Sequence, residues 1–260
     1  MKPFIAPRLR LLVAGLAIAA GASLPGAPLA AASASAAAPD PTPRDATVRV
    51  TAADVEASNA KVRMAYDALV AMWRADFAQL GARFATPRLV RHRAPLRSAC
   101  GVLGTSNAAY CPADNTIYFD DVFVAGQAKA AARDLGTDGD MAAIGVIAHE
   151  MGHAVALQLG YASRRTYENE AVADCLAGAF ARRAGEEGSL EPGDVEEAFH
   201  AMSRAGDPTP VLTGDPRTDR RVLLRQSRNG HGTREQRMES FDAGLTGGAA
   251  ACLPALQAIA

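Results

Sequence analysis

The chain has 260 residues, 49% of them hydrophobic and 21% charged, with a formal net charge of -1. That composition supplies apolar material for one sizeable core. The near-zero charge argues against a polyanion partner, so the arginine clusters at Arg83, Arg88, Arg91, Arg93 and Arg97 and from Arg217 to Arg237 read as solvated surface, with no nucleic-acid role.

The N-terminus reads as a targeting segment. Lys2, Arg8 and Arg10 precede an apolar run from Leu11 to Ala20, and the stretch from Pro25 to Ala38 is rich in Ala, Ser and Pro. It offers small-residue cleavage sites such as Ala32-Ser33-Ala34. The expectation is a signal peptide over residues 1–38, cleaved within about 30–38. The apolar run is short of the ~20 residues that span a bilayer, so no stable membrane span is expected after cleavage. An uncleaved N-terminal anchor is the alternative. Residues 39–50 read as a flexible linker, and 51–260 as a single domain.

Thr51 or Asp54 can cap a long helix running to about Leu80, with Val55, Val62, Tyr66, Leu69, Val70, Trp73 and Phe77 at helical spacing. Arg88 to Arg93 suits an edge strand. Cys100 to Cys111 reads as a turn-rich loop, and Thr116 to Phe119 as a short strand that can serve as the edge receiving an extended peptide. Asp134 to Asp140 reads as a loop, with Asp138 or Asp140 capping a helix from about Met141 to Leu159 that Gly160 ends. A second helix spans about Tyr167 to Ala184. Pro192 suits the first turn of a helix from Gly193 to Arg204, residues 206–220 read as a loop, and Thr233 to Leu245 as a last helix.

Four cysteines follow the targeting segment: Cys100, Cys111, Cys175 and Cys252. An even count in an exported chain favours two disulfides, and three connectivities are open. Cys100–Cys111 with Cys175–Cys252 is preferred, because the first closes a short Gly-rich loop and the second ties the tail to the core. No C-x-x-C is present, so a thiolate zinc site is not expected.

His149-Glu150-Met151-Gly152-His153 spells H-E-x-x-H. Two histidines four apart lie about 40° apart around a helix and point the same way. Together they can hold one Zn²⁺, with Glu150 as general base. Five His and 11 Glu placed at random in this length would give the pattern about 0.004 times.

A catalytic zinc needs a third protein ligand. Glu168, Glu170, Asp174, His200 and His231 are the candidates. Glu170 stands out by helical phase and by the apolar run from Ala171 to Ala181, in which Asp174 and Cys175 are the only ionisable side chains. A carboxylate buried there needs a partner. Asp174, one turn after Glu170, suits a hydrogen bond to the free nitrogen of His149. His92 and His200 read as ordinary surface or helix residues.

The series His149-Glu150-x-x-His153 then Glu170-x-x-x-Asp174 resembles the gluzincin arrangement of zinc metallopeptidases. More closely, the chain resembles the bacterial neutral zinc metallopeptidase family. The matching stretches are Cys100-Gly101, Tyr110 to Asp114, Ile117 to Asp120, the motif helix, Glu170 to Gly178, and His231 to Arg237. Family members often carry a further His directly after the motif, where this chain has Ala154, and are often membrane-anchored.

The resemblance implies an α+β, zincin-like fold: a small sheet packed on a mainly helical core with the two metal-bearing helices at its centre. It implies a zinc-dependent endopeptidase with one zinc per chain and a peptide or protein as substrate; the N-terminal segment and the even cysteine count lead us to expect it secreted or periplasmic. Zinc lowers the pKa of its water toward ~7, and Glu150 takes the proton and passes it to the leaving amine. His231 is the best candidate for stabilising the oxyanion, with Tyr167 second; a structural role for either is the alternative. The rival function is a catalytically silent, zinc-stabilised binding or assembly factor of the cell envelope, against which the presence of Glu150 argues.

Overall fold

A computed structural model describes residues 48–259. The expected signal segment and most of the expected linker lie outside these residues. Helix α1 (Ala52–Gln79) begins at a capping box: the Thr51 side chain accepts from the Asp54 N–H, and the Asp54 carboxylate accepts from the Thr51 N–H at 2.7 Å. Both candidate caps therefore act, as reciprocal halves of one device. All seven apolar positions expected of this helix are buried, Trp73 among the deepest.

Five strands follow: β1 (Arg88–His92), β2 (Leu96–Ser98), β3 (Gly101–Leu103), β4 (Ala108–Cys111) and β5 (Thr116–Asp120). The larger sheet has the order β1-β5-β4, with β1 parallel and β4 antiparallel to β5. Two expectations change here. The Cys100–Cys111 stretch is not only loop; it holds β3 and β4, and β2 pairs with β3 as a separate hairpin. The Thr116–Phe119 strand is not an edge. β5 lies between β1 and β4, which are the edges, and all five of its residues are buried.

Asp120 ends β5 and caps α2 (Asp121–Leu135), accepting from the N–H groups of Val122 and Phe123. Then come α3 (Asp140–Gln158), α4 (Thr166–Glu186), α5 (Asp194–Ala205), α6 (Pro216–Asn229), α7 (Arg234–Gly247) and two short 3₁₀ turns at 249–251 and 254–259. The architecture is α+β, with a small sheet on a helical core. Residues 206–220, expected as loop, include the first turn of α6. Pro192 precedes the first turn of α5, and Gly193 is that helix's N-cap.

The start of α3 also differs from expectation. Gly139 is its N-cap, and neither Asp138 nor Asp140 caps it. The buried Glu197 carboxylate on α5 does so instead, accepting from the N–H groups of Gly139 and Met141 at 2.8 Å each. An acid from another helix thus satisfies orphan donors at the positive end of α3's dipole.

Helix α3 is the hub, packing on α1, α2, α4 and α5 and on strands β4 and β5. Ile147, Ala148, Met151 and Val155 fill its core face. Helix α4 crosses it very closely at Gly152, where a Cβ would stand 2.7 Å from the Ala173 carbonyl oxygen. The α4–α7 crossing uses the same device at Gly178 and Gly244, each against the other helix's backbone. Disulfides join Cys100 to Cys111 and Cys175 to Cys252, the pairing expected.

Candidate metal centre

The close α3–α4 crossing sets two turns of each helix face to face. His149 and His153 stand on α3, Glu170 and Asp174 on α4. His149 Nε2 lies 3.2 Å from Glu170 Oε2, and His153 Nε2 lies 3.6 Å from Glu170 Oε1. The two Nε2 atoms are 3.1 Å apart. One ligand atom from each residue falls within 4.8 Å of the others.

These separations can be tested against zinc. Ligands bonded at about 2.0–2.1 Å in a tetrahedron stand about 3.3 Å from one another. The observed spacings bracket that value, and two imidazoles with one carboxylate form a donor set suited to zinc. His149, His153 and Glu170 therefore fit zinc as three protein ligands.

Behind the three donors sits a second layer. The fully buried Asp174 places Oδ1 2.7 Å from His149 Nδ1. With Asp174 as acceptor, the proton stays on Nδ1 and the Nε2 lone pair faces Glu170 and His153. Arg237, buried on the first turn of α7, clamps Asp174 from the other side. Its Nε donates to Oδ2 at 2.8 Å and its Nη2 to Oδ1 at 2.6 Å. Nη2 also lies 3.2 Å from His149 Nδ1, and Nη1 donates to the Ala205 carbonyl.

From the sequence Arg237 read as the end of a solvated arginine cluster and as part of a matching stretch; the structure buries it instead. A signal existed. Its helical neighbours at three and four residues are Thr233, Arg234, Ser240 and Phe241, none of them acidic. A helical arginine without a local acid invites a distant one.

The electrostatics follow from this enclosure. Burial opposes charge on His149, but the Asp174 carboxylate and the bond to Glu170 outweigh it and raise the pKa to about 10. Burial also opposes charge on Glu170, yet the histidines and Arg237 bring its pKa down to about 2. Burial and the His149 charge lower His153 to about 4. In the metal-free centre His149 is thus favoured as the imidazolium, held between the Glu170 and Asp174 carboxylates.

Glu150 shares the cleft with the ligand triad and reaches β4, where its Oε2 accepts the Tyr110 N–H at 2.7 Å. Burial raises its pKa against the pull of His149. A carboxyl raised in this way is a better proton acceptor at neutral pH.

All these groups except Asp174 line one cleft of about 740 Å³. Its walls include Ala108 and Tyr110 of β4, Phe123 of α2, Val146 of α3 and Met202 of α5. His231 lies on the same cleft, with its side chain 58% exposed and its Nδ1 3.9 Å from Asp207 Oδ1. Tyr167 packs beside Gly232 and is not among the lining residues. Of the other ligand candidates, Glu168 is held by Ser163 and Arg165, and His200 by Asp134.

A protein of Escherichia coli strain K12, named "Uncharacterized protein YpfJ", is 34% identical over 201 residues, which cover 68% of this chain and 63% of the relative. The protein of the same name in Escherichia coli O6:H1 gives the same figures. The match thus spans somewhat under two thirds of the length of these curated relatives. No solved structure matches. The model of the family described as "Putative neutral zinc metallopeptidase" matches residues 12–254, and the chain belongs to that family.

Proposed function

We propose that the protein is a zinc-dependent endopeptidase that works outside the cytoplasm. The observation that carries this reading is the triad of His149, His153 and Glu170 at tetrahedral ligand spacing, beside Glu150 in an open cleft. Zinc bound there would supply a Lewis acid for the scissile carbonyl and for the attacking water. Glu150, held by the Tyr110 N–H, takes the proton from that water and returns it to the leaving amine. Asp174 and Arg237 hold His149 in the donor tautomer. His231, on the cleft, is assigned to the oxyanion.

The substrate is an extended peptide laid along β4. This strand is a sheet edge, and the Tyr110 N–H already points away from β5 to Glu150. Export is supported by the two disulfides and by the N-terminal composition of residues 1–38. Retention by an uncleaved segment remains the alternative location, and residues 51–260 are assigned as the catalytic domain.

The test is metal content and casein hydrolysis, with Glu150→Ala beside the wild type. One zinc per chain in both proteins is expected, with chelator-sensitive cleavage that falls about 100-fold or more in the variant. Zinc without cleavage in the wild type would instead favour a silent binding factor.

A further inference from the structure

Helix α6 is unlike the other helices: none of its residues is buried. Arg217, Arg220, Arg221, Arg225 and Arg228 are all exposed. At 100° per residue they share one arc of about 140° around the helix. Among the described residues, none of the five guanidinium groups is in an ion pair. The two acids nearby are engaged elsewhere. Asp215 accepts from the Thr218 N–H as helix cap, and Asp219 accepts from Thr213 and Gly214. Residues 211–230 carry five arginines against two aspartates, a local charge of +3 in a chain of net -1.

Aliphatic side chains stand within this face. Leu224 falls within the arginine arc, and Leu223 lies about 60° beyond its edge; both are exposed. The bonds from Thr213 and Gly214 to Asp219 fold the preceding loop onto the first turn, where Val211 is 86% and Leu212 51% exposed. Arginines mixed with exposed aliphatic groups, and no aromatic residue from 211 to 230, suit one partner best. Phosphate headgroups take the guanidinium groups and the acyl boundary takes the leucines and valine. A nucleic acid would leave the aliphatic groups unmatched and find no stacking platform.

We infer that this face of α6, with Val211 and Leu212, is a docking surface for an anionic phospholipid bilayer. Its position gives the docking a purpose. The Thr166 hydroxyl donates to the Arg228 carbonyl at 2.9 Å, and Thr166 and His231 both line the catalytic cleft. The C-terminal end of α6 is therefore at the cleft mouth, and docking holds that mouth at the membrane surface. The inference stands whether or not the cleft cleaves peptides.

The experiment is hydrogen exchange of the zinc-loaded full chain with vesicles of phosphatidylglycerol and phosphatidylcholine. Pure phosphatidylcholine vesicles and a 20-nucleotide single-stranded DNA are the comparisons. The expected result is slowed exchange within 211–230 on the anionic vesicles alone, weakened when NaCl rises from 0.1 to 0.5 M. Arg217→Gln/Arg221→Gln/Arg225→Gln, all at exposed positions, should weaken this protection-linked binding about 100-fold, at roughly fivefold per arginine. Because the readout is local to α6, attachment through any other segment cannot imitate it. Unchanged exchange in 211–230 with vesicles present overturns the inference. So does protection that survives the triple substitution, or protection by DNA and not by vesicles.

Discussion

Two groups of ionisable side chains gather along helix α3, and they differ in what their atoms are free to do. Near its N-terminus, Asp138, Asp140, Asp194 and Glu197 bring four carboxylates within ligand range of one another. Two turns on, His149 and His153 meet Glu170. In the first group three of the acids are already committed: Glu197 to the N–H groups of Gly139 and Met141, Asp140 to Lys61 at 2.5 Å, Asp194 to the Glu191 N–H. In the second group the donor atoms face one another, and the commitments lie one layer back, on Asp174 and Arg237. Proximity of carboxylates alone therefore distinguishes nothing; what separates a metal site from a helix cap is where the supporting hydrogen bonds attach.

The sharpest way to break this contrast is to remove the support from the second group. Arg237→Leu leaves the fully buried Asp174 without its guanidinium. Metal-free stability should fall by about 3–5 kcal/mol, read by urea unfolding, and zinc affinity by about 10–100-fold. An unchanged zinc affinity would show that the second layer does not tune the first.

Glu197→Ala makes the corresponding cut in the first group. Two N–H groups at the start of α3 lose their acceptor, and about 2 kcal/mol of stability should go with them. Zinc content measured by mass spectrometry should stay at wild-type level. Loss of zinc here would join the two groups into one cooperative unit.

Proton linkage gives a smaller and continuous test. In the metal-free protein His149 has a pKa raised from 6.5 to about 10, so it is protonated at neutral pH. Zinc must displace that proton. Affinity should therefore rise about tenfold per pH unit between pH 6 and 8, as read by chelator competition. His153, lowered to about 4, adds nothing in that window. A flat profile would place the proton elsewhere.

The smallest effect concerns Asp194, whose pKa burial raises from 3.8 to about 6. A raised carboxyl binds its proton more tightly when folded, so its stabilising share is full below pH 3.8 and is lost as pH rises through 6. Asp194→Asn should flatten the wild-type decline in melting temperature between pH 4 and 7. An unaltered slope would exclude Asp194 as its source.

Much of the centre was legible because it is local. The H-E-x-x-H spacing fixes two ligands on one helical face, and Glu170 and Asp174 stand one turn apart beside and within an almost wholly apolar run. The parts that escaped are those set by distant partners. Glu150 is oriented by the backbone of β4, 40 residues away, and Asp174 is clamped by Arg237, 63 residues on. Helix α2 is rich in alanine and carries little apolar contrast. Helix α6 buries nothing, and the arginines gathered on one of its faces read as solvated surface, not as a helix. Strand β5 was misread as an edge because its place between β1 and β4 is set by pairing partners and not by its own five residues. The Asp138 and Asp140 caps were misplaced because a propensity for capping cannot foresee a better acceptor arriving from α5.

Gly152 belongs to the motif only as an unspecified letter, and it has no functional group to offer. Yet a single added carbon there would strike the backbone at Ala173. Its absence of a side chain works as a gauge, setting the gap between two rods at the one point from which Glu170 reaches the histidines. In this chain, then, the motif encodes a length as well as a chemistry, and Gly152→Val would damage the centre with every donor atom still in the sequence.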